Sequence, residues 1–161
     1  MTSEELLASA AIKSWKTVLA RLDGIVAGAD ENKLEKQVVP GGNRVRYLIG
    51  HIVAVHDRMF PLLGLGERLH PELDEAYLDN PDRTRPDPVN SAELKAIWSE
   101  INGKLTPALE ALTPAAWVAR HTAVSEEDFA KDPSRNRLSV LLSRTNHNST
   151  HLGQLVIAEK S

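Results

Sequence analysis

Four stretches of the chain repeat apolar residues at spacings of three and four, the period of a helix with one buried face. In the first, about residues 3 to 27, the stripe is Leu7, Ile12, Trp15, Val18, Leu19, Leu22, Ile25 and Val26. Ser3 ahead of Glu4 and Glu5 predicts the N-cap, and "GADENK" ends the helix. After "PGGN" a second stripe runs to about Leu63, through Val45, Leu48, Ile49, Ile52, Met59 and Phe60, with Asn43 as the predicted cap. A third is predicted from a Ser91 cap to about Leu112, through Leu94, Ile97, Trp98, Ile101, Leu105 and Leu109, with Gly103 and Pro107 as points of weakness. The fourth spans about residues 137 to 159 and carries Leu138, Leu141, Leu142, Leu152, Leu155 and Val156.

No stretch alternates with period two, and the connections are rich in Pro, Asp and Gly, so strands are not predicted. Four amphipathic segments of about 20 residues, each about 30 Å long, predict an all-α fold, a four-helix bundle. The link over residues 65–90 is far longer than the usual helix-to-helix connection and can travel back along a helix, which permits the second and third helices to run parallel. The 113–136 link is expected to hold a short helical turn around "PAAW" or "SEEDF". With neither a repeat nor a low-complexity tract, residues 1–161 are predicted to form a single domain.

Composition narrows the chemistry. The net charge of −3 arises from 22 acidic and 19 basic residues mixed along the chain, with no basic block to neutralise a phosphate backbone, so nucleic acid is not an expected partner. There is no cysteine, which removes disulfides, thiolate ligands and a cysteine nucleophile. The acidic opening "MTSEELLASAAIKSW" lacks a basic n-region, and no apolar run approaches a membrane span. A cytoplasmic, soluble chain with no membrane association is the expectation.

The candidate chemistry is in the histidines. "NHNSTHLGQL" places His147 and His151 four residues apart, on one helix face about one turn apart. They flank the apolar stripe of the fourth helix by about 100 to 140°, and His51 flanks that of the second by about 120° in the same rotational sense. Same-sense flanks of antiparallel neighbours meet, so His51 is a candidate third ligand. His56 falls on the centre of its stripe and reads as a buried, hydrogen-bonded core histidine, although periodicity leaves it open as a ligand. His70 and His121 sit in links and read as solvated surface groups, and Trp15, Trp98 and Trp117 as core anchors. "HNSTH" is not HExxH, because Asn148 stands where a zinc protease needs a carboxylate base, and Glu67 with His70 is a solitary ExxH. GxGxxG, GxxxxGK[ST] and GxSxG are all absent.

"PGGNRVRYLIGHIVAVHDR" and "HNSTHLGQL", with His147, His151, Gly153 and Gln154 forming HxxxHxGQ, resemble the DinB-like (YfiT-like) superfamily of four-helix-bundle metal proteins. The resemblance implies an up-down-down-up bundle and a metal site of His51, His147 and His151, preferring His51 over His56. It also implies a homodimer, to which Val140 and Ile157 are candidate contributors. Similar proteins include metal-dependent enzymes that use a low-molecular-weight thiol as cosubstrate. Asn148 and Thr150 stand here in place of the glutamate and aromatic often found between the two histidines.

Three neutral imidazoles on a divalent ion leave a fourth position open, the pattern of catalytic zinc sites, and nickel or iron accept the same ligands. Without cysteine in the chain, any thiolate comes from a small molecule. The expected function is therefore a metal-dependent enzyme acting on small molecules, in its specific form a thiol-dependent S-transferase. Alternatives are a non-enzymatic metal-binding or dimerisation bundle of a stress response, and a metal-dependent hydrolase. Gln154 and Asn148 are candidates to orient a ligand or water, and Arg46, Arg58 and Arg144 to receive an anionic group.

Overall fold

A computed structural model describes residues 1–161. Its first helix, α1 (Ser3–Gly28), is capped one residue earlier than predicted. Thr2 Oγ1 accepts from Glu5 N at 3.1 Å while the Glu5 carboxylate accepts from Thr2 N at 2.6 Å, a reciprocal pair that Ser3 cannot make because the glutamate must lie three residues on. "GADENK" does more than end α1. Asp30 caps a short helix, α2 (Glu31–Glu35), which sets Glu31 and Glu35 beneath the next long helix.

That helix, α3 (Val45–Leu62), starts two residues after the predicted cap. Arg44, not Asn43, holds the N-cap position, with no side-chain cap bond. Its guanidinium is instead taken by Asp82, Asp87 and Glu35, and its N–H by Asp82 at 2.7 Å. In the long link, a 3₁₀ turn (Pro71–Leu73) leads into α4 (Asp74–Tyr77), neither of which periodicity predicts. Asp57, fully buried on α3, accepts from Leu69 N, His70 N and Arg68 Nε and so fastens the start of this link. Leu73, Ala76 and Tyr77 then bury against α3.

The next long helix, α5 (Ser91–Glu110), is capped by Asn90 in a second reciprocal pair, with Glu93, rather than by Ser91. Ser91 is left free to bind Arg46 and Glu31. Gly103 and Pro107 do not stop this helix. Where one short helical turn is expected at either of two places, the 113–136 link forms one at each, α6 (Pro114–Val118) and α7 (Glu126–Lys131). Asn136 caps the last helix, α8 (Arg137–Lys160), accepting from Ser139 N at 2.9 Å.

The protein is all-helical, with only isolated bridges between Gln37 and Arg44 and between Arg120 and Asn136. α1 packs along α8 and α3 along α5, while α3 also lies against α8 and α1 against α5, closing a ring of four around one continuous core. Arg46 meets Ser91 and His56 meets Asn102, so α3 and α5 run in the same sense. His51 meets His147 and Leu63 meets Arg137, so α3 and α8 run in opposite senses. Trp15, Trp98 and Trp117 are core residues, as expected of them. No helix is long and apolar enough to cross a membrane. Of the two residues considered for an outer apolar contact, Ile157 is exposed but Val140 packs against the core.

Candidate metal centre

The opposite senses of α3 and α8 bring the middle of one helix to the middle of the other. His51 Nε2 lies 2.9 Å from His147 Nε2, and His151 Nε2 lies 3.1 Å from that same atom. The ring centroids are 4.5 to 5.0 Å apart, and one ring nitrogen from each residue lies within 4.8 Å of the others. The flank positions in the sequence predict this meeting, and the structure makes it.

The outer nitrogens decide what the inner ones present. His51 Nδ1 is 3.0 Å from the carbonyl of Tyr77, which only accepts, so Nδ1 carries the proton and Nε2 is a bare lone pair. His151 Nδ1 faces Gln154 Oε1 at 2.6 Å and is placed the same way. Two lone pairs are thus directed at His147 Nε2. One proton there satisfies one of them, and a proton on His147 Nδ1 satisfies neither. His147 Nδ1 is itself buried with no partner. A cation among the three Nε2 atoms resolves the conflict, since each ring then donates a lone pair inward and keeps its proton outward. Tetrahedral zinc with bonds of about 2.0 to 2.1 Å separates its ligand atoms by roughly 3.3 Å, a few tenths beyond the two separations from His147 Nε2. The donor set therefore fits a divalent ion.

Electrostatics favours the same state. Burial lowers the pKa of His51, and burial first, then His151 and His51, lowers that of His147 to about 4. Both rings are neutral at pH 7, as metal ligation requires. All three histidines keep part of their surface exposed, so the group opens to solvent. The Tyr47 ring lies parallel to that of His51 at 6.3 Å and is fixed by its hydroxyl donating to Asn80 O.

His56 is separated from the triad and fully buried. Its Nδ1 lies 2.7 Å from Asn102 Oδ1, its Nε2 lies 3.0 Å from Asn148, and its ring packs between Trp15 and Trp98. It is a core histidine and not a member of the cluster. Asn148 likewise departs from its predicted place beside a ligand: one residue past His147, it turns about 100° further round α8 and points into the core at His56. Gln154 does contact the triad, through His151.

Arg46 and Arg58 are occupied by Glu31 and Glu35 and by Asp74, respectively, whereas Arg144 forms no ion pair. His70 is not solvated as predicted, because Glu72 and Glu100 hold its two nitrogens at 2.8 and 2.9 Å. His121 is partly exposed, and Glu67 joins neither. Sequence reasoning misses Tyr77, which acts through a backbone carbonyl 26 residues from His51 and so leaves no side-chain signature. Gly50, beside His51 in "IGHI", is the trace of it: a Cβ there would stand 2.6 Å from the Tyr77 ring.

A hollow of about 680 Å³ between α1 and α5, lined by Lys16, Asp23, Lys95, Trp98, Asn102 and Thr106, lies across the bundle from this cluster. No curated protein matches the chain. The family model of the DinB superfamily matches residues 14–155, taking in both helices that carry the histidines. On that match, which spans most of its length, the chain belongs to the DinB superfamily.

Proposed function

We propose that this chain is a metal-dependent enzyme acting on small molecules, in its specific form a thiol-dependent S-transferase, with His51, His147 and His151 holding zinc, nickel or iron. The observation that carries this is the convergence of three Nε2 atoms whose outer nitrogens are engaged by Tyr77 O and Gln154 or left without a partner. When bound, the ion supplies Lewis acidity that lowers the pKa of a thiol or water in its open position. Tyr77 and Gln154 hold the ring tautomers, and Tyr47 forms a wall beside His51. The chain has no cysteine, so the thiol is a small molecule. In the transfer the thiol S–H gives its proton to solvent water, sulfur bonds to the electrophilic carbon, and the carbon's bond to the leaving group breaks, the leaving group departing with the electron pair. Residues 1–161 act in this as one cytoplasmic domain.

Elemental analysis of protein purified without a histidine tag tests the metal. The expected result is one divalent ion per chain, lost in His51→Ala and in His147→Ala; an ion neither retained nor regained on titration defeats the proposal. Thiol-dependent loss of a model electrophile then tests turnover. It is expected to fall at least tenfold in His151→Ala, whose ligand donates from the partly exposed side. Metal bound with equal rates in wild type and variant reduces the protein to a metal-binding bundle.

A further inference from the structure

The arginines of this chain differ in what they hold. Arg44, Arg46 and Arg68 are saturated by carboxylates, and Arg120 and Arg137 donate to backbone carbonyls. Arg144, half-buried on α8, holds neither. Its Nε is buried without a partner, and burial alone pushes its pKa down, with no acidic group to offset the shift. A guanidinium partly withdrawn from water without a counter-charge is less favourable than a solvated one unless something else supplies the charge.

Its position indicates what that is. Arg144 precedes His147 by three residues and His151 by seven, so all three fall within about 60° on one face of α8, spread over about 10 Å of axial rise. His147 Nδ1, buried without an acceptor, is on the same stretch. Asn148 does not fill the role of counter-charge. The amide nitrogen of Asn102 donates to Trp98 O, so Asn102 Oδ1 accepts from His56 Nδ1–H. The neutral His56 ring then needs a donor at Nε2, and the Asn148 carboxamide is committed to it. Even an Asn148 oxygen turned towards Arg144 is a neutral acceptor and leaves the positive charge unmatched.

We propose that Arg144 is the anion-recognition residue of the site, receiving the carboxylate of a small molecule whose reacting group sits at the open side of His51, His147 and His151. A planar carboxylate carries the single negative charge and paired oxygens that one guanidinium matches. This rests on the metal-site reading above and narrows its substrate to carboxylate-bearing molecules.

The test is calorimetric titration of zinc-loaded protein with 3-mercaptopropionate and with 2-mercaptoethanol, which differ in the carboxylate. Wild type is expected to bind the acid at least about tenfold more tightly. That preference is expected to vanish in Arg144→Met and in Arg144→Gln with zinc content unchanged, and to persist in Arg21→Met, a change at an exposed arginine of α1. No preference in wild type, or one that survives in both Arg144 variants, overturns the proposal. If the chain holds no zinc, the metal reading fails, and titration of the metal-free chain with propionate, followed by NMR, decides for Arg144. Saturable shifts lost in Arg144→Met uphold the anion site, and their absence in wild type overturns it.

Discussion

His56 and His147 both have pKa values lowered to about 4, chiefly by burial, yet they do different work. His147 has two lone pairs directed at it and belongs to an open cluster, whereas His56 is enclosed by two asparagines and two tryptophans. The consequence for His56 is an acid-sensitive core. The unfolded chain takes up a proton at His56 below about pH 6.5, and the folded chain only near 4. Stability from this group is therefore complete above pH 6.5 and declines as pH falls towards 4, by roughly 2 kcal/mol at pH 5. Denaturant unfolding at pH 7 and pH 5 checks this: the acid loss is expected to shrink by about that amount in His56→Gln, whatever that variant's stability at pH 7. An unchanged loss would assign the sensitivity elsewhere. Both placements were legible, since His56 sits on the stripe and His51, His147 and His151 on its flanks. The inward turn of Asn148, read from the sequence as a place beside the ligands, follows from its lying one residue past His147, about 100° further round the helix.

Among elements, the seat of α4 on α3 has the most direct bearing on the site. Gly50 leaves room for the Tyr77 ring, and the Tyr77 carbonyl orients His51. An alanine in a helix ordinarily stabilises by about 1 kcal/mol over glycine. At position 50 the sign reverses, because the added carbon meets ring atoms near the Tyr77 backbone that cannot swing aside. Gly50→Ala is expected to cost about 1 to 3 kcal/mol in thermal unfolding and to weaken metal binding about 10- to 100-fold. Gly103→Ala on α5, with nothing within 4 Å of the added carbon, is expected to stabilise instead. Equal responses at the two positions would mean that Tyr77 does not press on α3. The long helices were readable from periodicity and capping residues, and the 113–136 link was read as holding a turn at one of the two places where it forms both. α2 and α4 were not readable, because they are held by side chains outside themselves: Arg44 and Arg46 grip Glu35, and Asp57 grips the link ahead of α4. Such short helices have too few residues to declare a period.

At the scale of the molecule, the histidine cluster joins α8 to α3, two of the four long helices in the ring. A cation bound only by the folded chain stabilises it by about 2.7 kcal/mol at one hundred times its dissociation constant, which for a chain of this size raises the melting temperature by about 5 to 10 °C. Scanning calorimetry of chelator-treated protein with and without added zinc measures the shift. A melting temperature indifferent to zinc, in a protein whose histidines are intact, would separate the cluster from any cation. The long 65–90 link, fastened by Asp57 and Arg44, lets α5 run alongside α3 and leaves the opposite flank of α3 to α8. His51 and His147 are 96 residues apart along the chain, and His147 lies in α8, which follows the other three long helices. Nascent chains consequently carry one imidazole of the three until α8 is made, and cannot sequester a cation before the other long helices are available to fold around it.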